Sequence, residues 1–107
     1  MRKTIDYYVT YSGECPFRSW FEKLDRNTRI VVDGYIARVS MGGSKKNIKS
    51  LKDGLYEIRI FYGSGIRVYF GKDGDKLMLL LIGGAKGSQK ADIKKAKSYW
   101  RNYVQTK

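Results

Sequence analysis

The chain has 107 residues, 22 of them Lys or Arg against ten Asp and Glu, giving a formal charge of +12 with no histidine. At 42% hydrophobic and 14% aromatic residues it is too apolar for a disordered chain, and its length suits one domain, residues 1–107, around one core. Zinc sites of the usual kinds, Ser-His or Cys-His nucleophiles and an intrachain disulfide are excluded, because there is no His and the only Cys is Cys15.

The positive excess points to a polyanionic partner, with nucleic acid favoured over an anionic membrane surface or an acidic protein. The longest apolar run, Leu77 to Ile82, is far short of a bilayer span, and the start MRKTIDYYVT lacks the apolar stretch of a signal peptide. A lone cysteine suits a reducing compartment. The expectation is a cytoplasmic protein without a membrane partner.

In chain order, Ile5 to Tyr11 is rich in aromatic and branched residues and stops at Ser12-Gly13, which predicts a first strand. Pro16 suits the first position of a helix whose apolar stripe is Phe17, Trp20, Phe21 and Leu24. Asp25 is placed to N-cap a second helix, Arg26 to about Met41, with Val32, Tyr35, Ile36 and Val39 at the same spacing. With almost no linker between them, the two helices should form a hairpin on one face of a sheet. Lys45 to Asp53 reads as a loop carrying Lys45, Lys46, Lys49 and Lys52, anchored by Ile48 and Leu51.

Three strands follow. In Leu55 to Tyr62 and Ile66 to Phe70, the period of two puts Glu57, Arg59, Arg67 and Tyr69 on one face and the Ile and Val residues on the other. A three-residue loop, Gly63-Ser64-Gly65, predicts Phe61 opposite Arg67 and Arg59 opposite Tyr69. Asp73-Gly74 signals a second hairpin, and Leu77 to Ile82, apolar on both parities, reads as an interior strand covered on both faces. After Gly83-Gly84 a last helix begins at an N-cap, Ser88. Its core stripe is Ile93, Ala96, Trp100 and Tyr103, and Lys90, Lys94, Lys97 and Arg101 form a separate basic stripe.

No phosphate-binding or dinucleotide-binding loop is present, since GGAKGS lacks the spacing of either. What stands out is a sheet face carrying Arg59 and Arg67, with Lys86 at the turn and further cations around it. Tyrosines near that face, Tyr99 among them, offer stacking surfaces for bases. A purely structural account pairs Glu57 with an arginine. It leaves the other cation unexplained, because a buried charge needs a partner. Such a face can act on RNA without metal or cofactor. The 2′-hydroxyl is the nucleophile, arginine forks match phosphate oxygens, and a lysine or tyrosine can move the proton.

The segments PFRSWFEKLD, DGLYEIRI, YGSGIRVYF and LLLIGGAKGSQKADIKKAKSYW, taken in order, resemble the RelE/ParE toxin superfamily, in particular its HigB-like, phage-related addiction module killer proteins. The resemblance covers nearly the whole chain. It implies an α+β, RelE-like fold: an N-terminal strand, a two-helix hairpin, an antiparallel three-strand meander and a C-terminal helix. It implies the toxin of a type II toxin–antitoxin pair, a ribosome-dependent mRNA endoribonuclease (mRNA interferase) whose partners are mRNA on the ribosome and a small helix-turn-helix antitoxin. By position, Arg59, Arg67 and Lys86 become catalytic candidates, and Lys49, Lys52, Lys90, Lys94 and Tyr99 nucleic-acid-binding candidates. Two alternatives stay open: a ParE-like DNA gyrase poison, and a basic nucleic-acid-binding module without catalysis.

Overall fold

In a computed structural model, which describes residues 2–107, the chain is an α+β protein built on one five-stranded sheet. The strands are β1 (Thr4–Tyr7), β2 (Ile48–Ser50), β3 (Leu55–Ile60), β4 (Ile66–Asp73) and β5 (Leu77–Ala85), in the order β1-β5-β4-β3-β2. The meander β3-β4-β5 is antiparallel, as the sequence predicts, and β1 closes the far side parallel to β5.

Helices cover both faces. On one lie α1 (Pro16–Phe21) and α2 (Arg26–Ser40), where Phe17, Val32, Ile36 and Val39 pack on Ile58, Ile60, Ile66, Val68, Phe70, Met78 and Leu80. Cys15 precedes Pro16 as N-cap of α1, and the Asp25 carboxylate caps α2 by accepting from the Thr28 amide at 2.8 Å. The hairpin reading therefore holds, although α1 stops at Phe21 and Leu24 sits in the following turn. On the other face α3 (Gln89–Thr106) sets Ala96 and Trp100 against Leu55, Tyr69, Leu79, Leu81 and Ile82. Interior strand β5 thus feeds both cores. A bulge at Tyr69/Phe70 helps, since it turns Leu81 and Ile82 toward the same side and re-phases the end of β5.

Gly71 is a required close approach. A Cβ there would run into the Trp100 ring, which lies flat on the strand while its Nε1 donates to the Asp53 carbonyl at 2.7 Å. Trp100 thereby fixes α3 to the sheet and to the β2–β3 turn together.

Four details differ from the sequence reading. Lys45 to Asp53 is not all loop, because β2 pairs with β3 and its anchors divide, Ile48 toward the α1–α2 core and Leu51 toward the α3 core. The first strand is shorter than Ile5 to Tyr11, since its ladder with β5 covers Thr4–Tyr7 and ends where the Tyr8 amide donates to the Leu80 carbonyl at 3.0 Å. Ser88 stands at the N-cap of α3, yet its hydroxyl donates to Asp92 Oδ2 at 2.5 Å and caps no amide. Finally, the β3–β4 pairing slides two residues from the expected register. Arg59 faces Arg67, Glu57 faces Tyr69, and Phe61 leaves the sheet for a five-residue loop, 74% exposed. Gly63 and Gly65 take φ of 60° and 104° there, and Gly65 N–H closes on the Tyr62 carbonyl at 3.0 Å. A slip of two preserves face parity, so the inferred face survives.

Candidate functional site

The face that α3 only partly covers carries, on adjacent strands, Lys49 opposite Glu57, Glu57 opposite Tyr69, Arg59 opposite Arg67, and Arg67 opposite Gly84. Period-two alternation turns all of these side chains to the same side. Glu57 is fully buried. Its Oε1 accepts from Arg59 Nε at 3.2 Å and its Oε2 from Gln89 Nε2 at 2.7 Å. The first turn of α3 is thus tied to β3 through a carboxylate that also orients an arginine. Asn47 adds a further tie by donating to the Arg59 carbonyl at 3.0 Å.

The two arginines differ in setting. Arg59 keeps about 40% of its side chain exposed beside its carboxylate partner. Arg67 is 7% exposed, its Nη1 donates to its neighbour's carbonyl, on Ile66, at 3.3 Å, and its buried Nε has no partner. A guanidinium so enclosed and so poorly paired is a fixed positive charge held ready for an anion.

Lys86 meets Arg67 at Gly65. Its amide donates to the Gly65 carbonyl at 3.2 Å, and a Cβ on Gly65 would lie 3.3 Å from Lys86 Cβ and 3.7 Å from Arg67 Nη1. The three catalytic candidates therefore converge at one corner of the sheet. A carboxylate and a phenol, those of Asp92 and Tyr69, border it from below. Asp92 is buried over Gly84, where any Cβ would collide with its carboxylate, and Ser88 holds it there. The Tyr69 hydroxyl is sealed without a hydrogen-bond partner, and burial, then the nearby Glu57 and Asp92 carboxylates, push its pKa far up, so it stays a neutral phenol.

Of the binding candidates, Lys49 lies on this face at the edge strand, and Lys52 lies past it in the β2–β3 turn. Lys52 shares a groove of about 470 Å³ with Lys97 and Arg101 of α3, floored by Leu51, Leu55, Trp100 and Val104. Lys90 and Lys94 are exposed, and helical spacing continues the Lys97–Arg101 stripe through them toward the Glu57–Gln89 tie. Tyr99 is not brought together with these cations. It stacks on Tyr8 at 5.2 Å on the opposite flank of α3, and burial raises its pKa. Sequence reasoning missed Gln89, Asp92 and Asn47 as parts of the site. The adjacent glycines Gly83-Gly84 were the available signal for Asp92, since one strand glycine on the helix-covered face invites a side chain onto the backbone. Among the described residues, no group of His, Cys, Asp and Glu is placed to hold a metal ion, and no helix is long and apolar enough to cross a membrane.

An uncharacterized protein of Haemophilus influenzae is 40% identical over 82 residues, which is 76% of this chain and 82% of that protein. The family model described as "Phage derived protein Gp49-like (DUF891)" matches residues 19–101, from the middle of α1 through most of α3, and so takes in every candidate above. With an α+β sheet of this order and a match over most of its length, the chain belongs to the phage-derived Gp49-like family, a family of RelE-like, toxin type.

Proposed function

We propose that the chain is the toxin of a toxin–antitoxin pair and acts in the cytoplasm by cutting mRNA on the ribosome, with a small antitoxin as its neutralising partner. The observation that carries this reading is the corner at which Arg59, Arg67 and Lys86 meet, cations in excess of their carboxylates, with Arg59 about 40% exposed and Lys86 exposed.

The chemistry follows from what each group can do. The RNA 2′-oxygen attacks the adjacent phosphorus and its proton passes to water. The bond to the 5′-oxygen breaks, and that oxygen takes a proton from the Lys86 ammonium, leaving a 2′,3′-cyclic phosphate and a 5′-hydroxyl. Arg59, exposed and aimed by Glu57, donates to the non-bridging oxygens as they gain charge. Arg67 supplies fixed positive charge from beneath, where low dielectric makes it most effective. No step requires a metal. Lys49, Lys52, Lys90 and Lys94 would hold the flanking phosphates.

Inducing the protein in growing cells and mapping new transcript 5′ ends tests this reading. The expected result is growth arrest with translation-dependent ends bearing 5′-hydroxyls. Arrest with a DNA-damage response and no new RNA ends would replace it with action on DNA gyrase.

A further inference from the structure

At the same corner, on the side away from α3, lies a cleft of about 350 Å³ between the α1–α2 connection and the β3–β4 loop. Trp20, Leu24, Asp25 and Thr28 form one wall, and Tyr62 to Ile66 with Gly84 and Ala85 form the other. We propose that this cleft is a nucleobase subsite that selects a base bearing an exocyclic amino group next to the scissile phosphate. The proposal deepens the RNA-directed reading above and rests on it for the identity of the polymer.

The cleft is continuous with the cationic corner. Gly65 belongs to the cleft wall and also touches Lys86 and Arg67, and Ala85 immediately precedes Lys86. A nucleotide whose phosphate rests on those cations has its base within reach of the cleft. The lining suits a base as well. Trp20 lies against the backbone of Gly83, where a Cβ would collide with its ring, and Tyr62 stands at the rim, 38% exposed on a loop closed by the Gly65–Tyr62 hydrogen bond. Flat aromatic surfaces at an open cleft suit a base.

Charge decides what enters. The single charged group in the lining is an acid, Asp25, so the cleft repels phosphate while the cations beside it attract phosphate. Asp25 Oδ1 accepts from the Thr28 amide at 2.8 Å, and the carboxyl stays exposed with capacity to accept further bonds. The exposed carboxylate accepts from the amino group of adenine, cytosine or guanine, whereas uracil in the same pose sets a carbonyl against it and has only N3–H, flanked by two carbonyls, to donate. The capping bonds also favour the ionised carboxyl.

Nucleotide binding read by Trp20 fluorescence tests the subsite without requiring cleavage. The probes are AMP, CMP, GMP and UMP, and Trp20→Phe identifies the signal against that of Trp100. The expected result is quenching in which UMP binds about fivefold more weakly than the other three, the loss expected for one charge-assisted contact to a base edge. Asp25→Asn should abolish that discrimination while preserving α2, since Asn is an equally good N-cap. Tyr62→Ala should weaken all four. Equal binding of the four nucleotides by the wild type, or quenching that survives Trp20→Phe, would overturn the proposal. Nucleotide discrimination in a protein that cuts no RNA would leave the subsite and remove the cleavage reading. Cleavage whose base preference is the same in wild type and Asp25→Asn would do the reverse.

Discussion

Arg59 and Arg67 face each other as a direct pair across β3 and β4, and of the two only Arg59 makes an ion pair among the described residues. Like charges directly opposed on a sheet are unfavourable. Their retention at the one corner where Lys86 also arrives is what a site awaiting an anion looks like from the protein's side. A fold optimised for stability alone would place an apolar side chain opposite Arg59.

Arg67→Met should therefore separate activity from stability. Its buried Nε has no partner to lose, and removing a like charge relieves Arg59, so the unfolding free energy should stay within about 1 kcal/mol of wild type or rise. RNA cleavage should fall at least about 100-fold, the loss expected for a preorganised transition-state charge. Arg67→Lys should recover little, because an ammonium lacks the planar fork. Urea unfolding and single-turnover cleavage on ribosomes give the two numbers; a variant that is destabilised and still active contradicts the argument.

Glu57 and Gln89 should behave as positioning residues. Gln89→Ala removes one of the two bonds to a fully buried carboxylate that solvent can reach in its place, a cost of about 1 kcal/mol. Glu57→Ala leaves Arg59 unaimed and Arg67 without a neighbouring acid on β3, so it should cost more, about 2–4 kcal/mol. For cleavage, both variants should lower kcat more than they raise KM, since Arg59 remains present but misdirected. Effects on KM alone would mean that Glu57 serves only to hold the fold.

How much of this was legible in the sequence depended on the kind of signal. Face parity was legible because it needs only the period of two, and it placed Glu57, Arg59, Arg67 and Tyr69 together correctly. Register was not, because loop length was judged from Gly63-Ser64-Gly65, and nothing in the sequence says that Phe61 abandons the sheet for solvent. Strand β2 was hidden for a related reason. Three residues at an edge, two of them polar, carry too little alternation to stand out from a lysine-rich loop. The Gln89–Glu57 tie spans 32 positions and arises only when α3 docks, so no local pattern announces it. Tyr99 is the converse case: its spacing on α3 leaves its flank open, and stacking on Tyr8 from β1's end decides it.

The C-terminal end of α3 gives a pH prediction. Asp73 accepts from the Tyr103 hydroxyl at 2.8 Å and from Lys107 Nζ at 3.0 Å, and these bonds, the tyrosine's first, hold its carboxyl below the usual 3.8. The folded state then binds fewer protons than the unfolded chain as acid is added. Its contribution is complete above pH 3.8 and disappears as pH falls through the lower folded value. Asp73→Asn should be less stable than wild type at pH 6–7, and the difference should shrink as the pH falls below 3.8. Urea midpoints across that range check it; a constant difference would show that the bond matters and its charge does not.

The flank cations give the last prediction. Lys49 and Lys52 border one side of the face, and Lys90 and Lys94 extend the α3 stripe on the other, all exposed. A strand of RNA crossing the Arg59–Arg67 corner would pass between them. Each phosphate contact releases counterions, so binding should weaken steeply with salt, and replacing any one of these lysines by Ala should reduce the log–log slope by about 0.7. Tyr99 is stacked on Tyr8 at the other flank, so Tyr99→Ala should lower stability and leave the slope unchanged. Single-stranded RNA titrated against the Arg67→Met protein, in which cleavage should be slowed at least about 100-fold, separates binding from cleavage. Slopes unaffected by all four lysine changes would mean that RNA does not follow this path. A slope altered by Tyr99→Ala as much as by Lys90→Ala would mean that it wraps α3 on both sides.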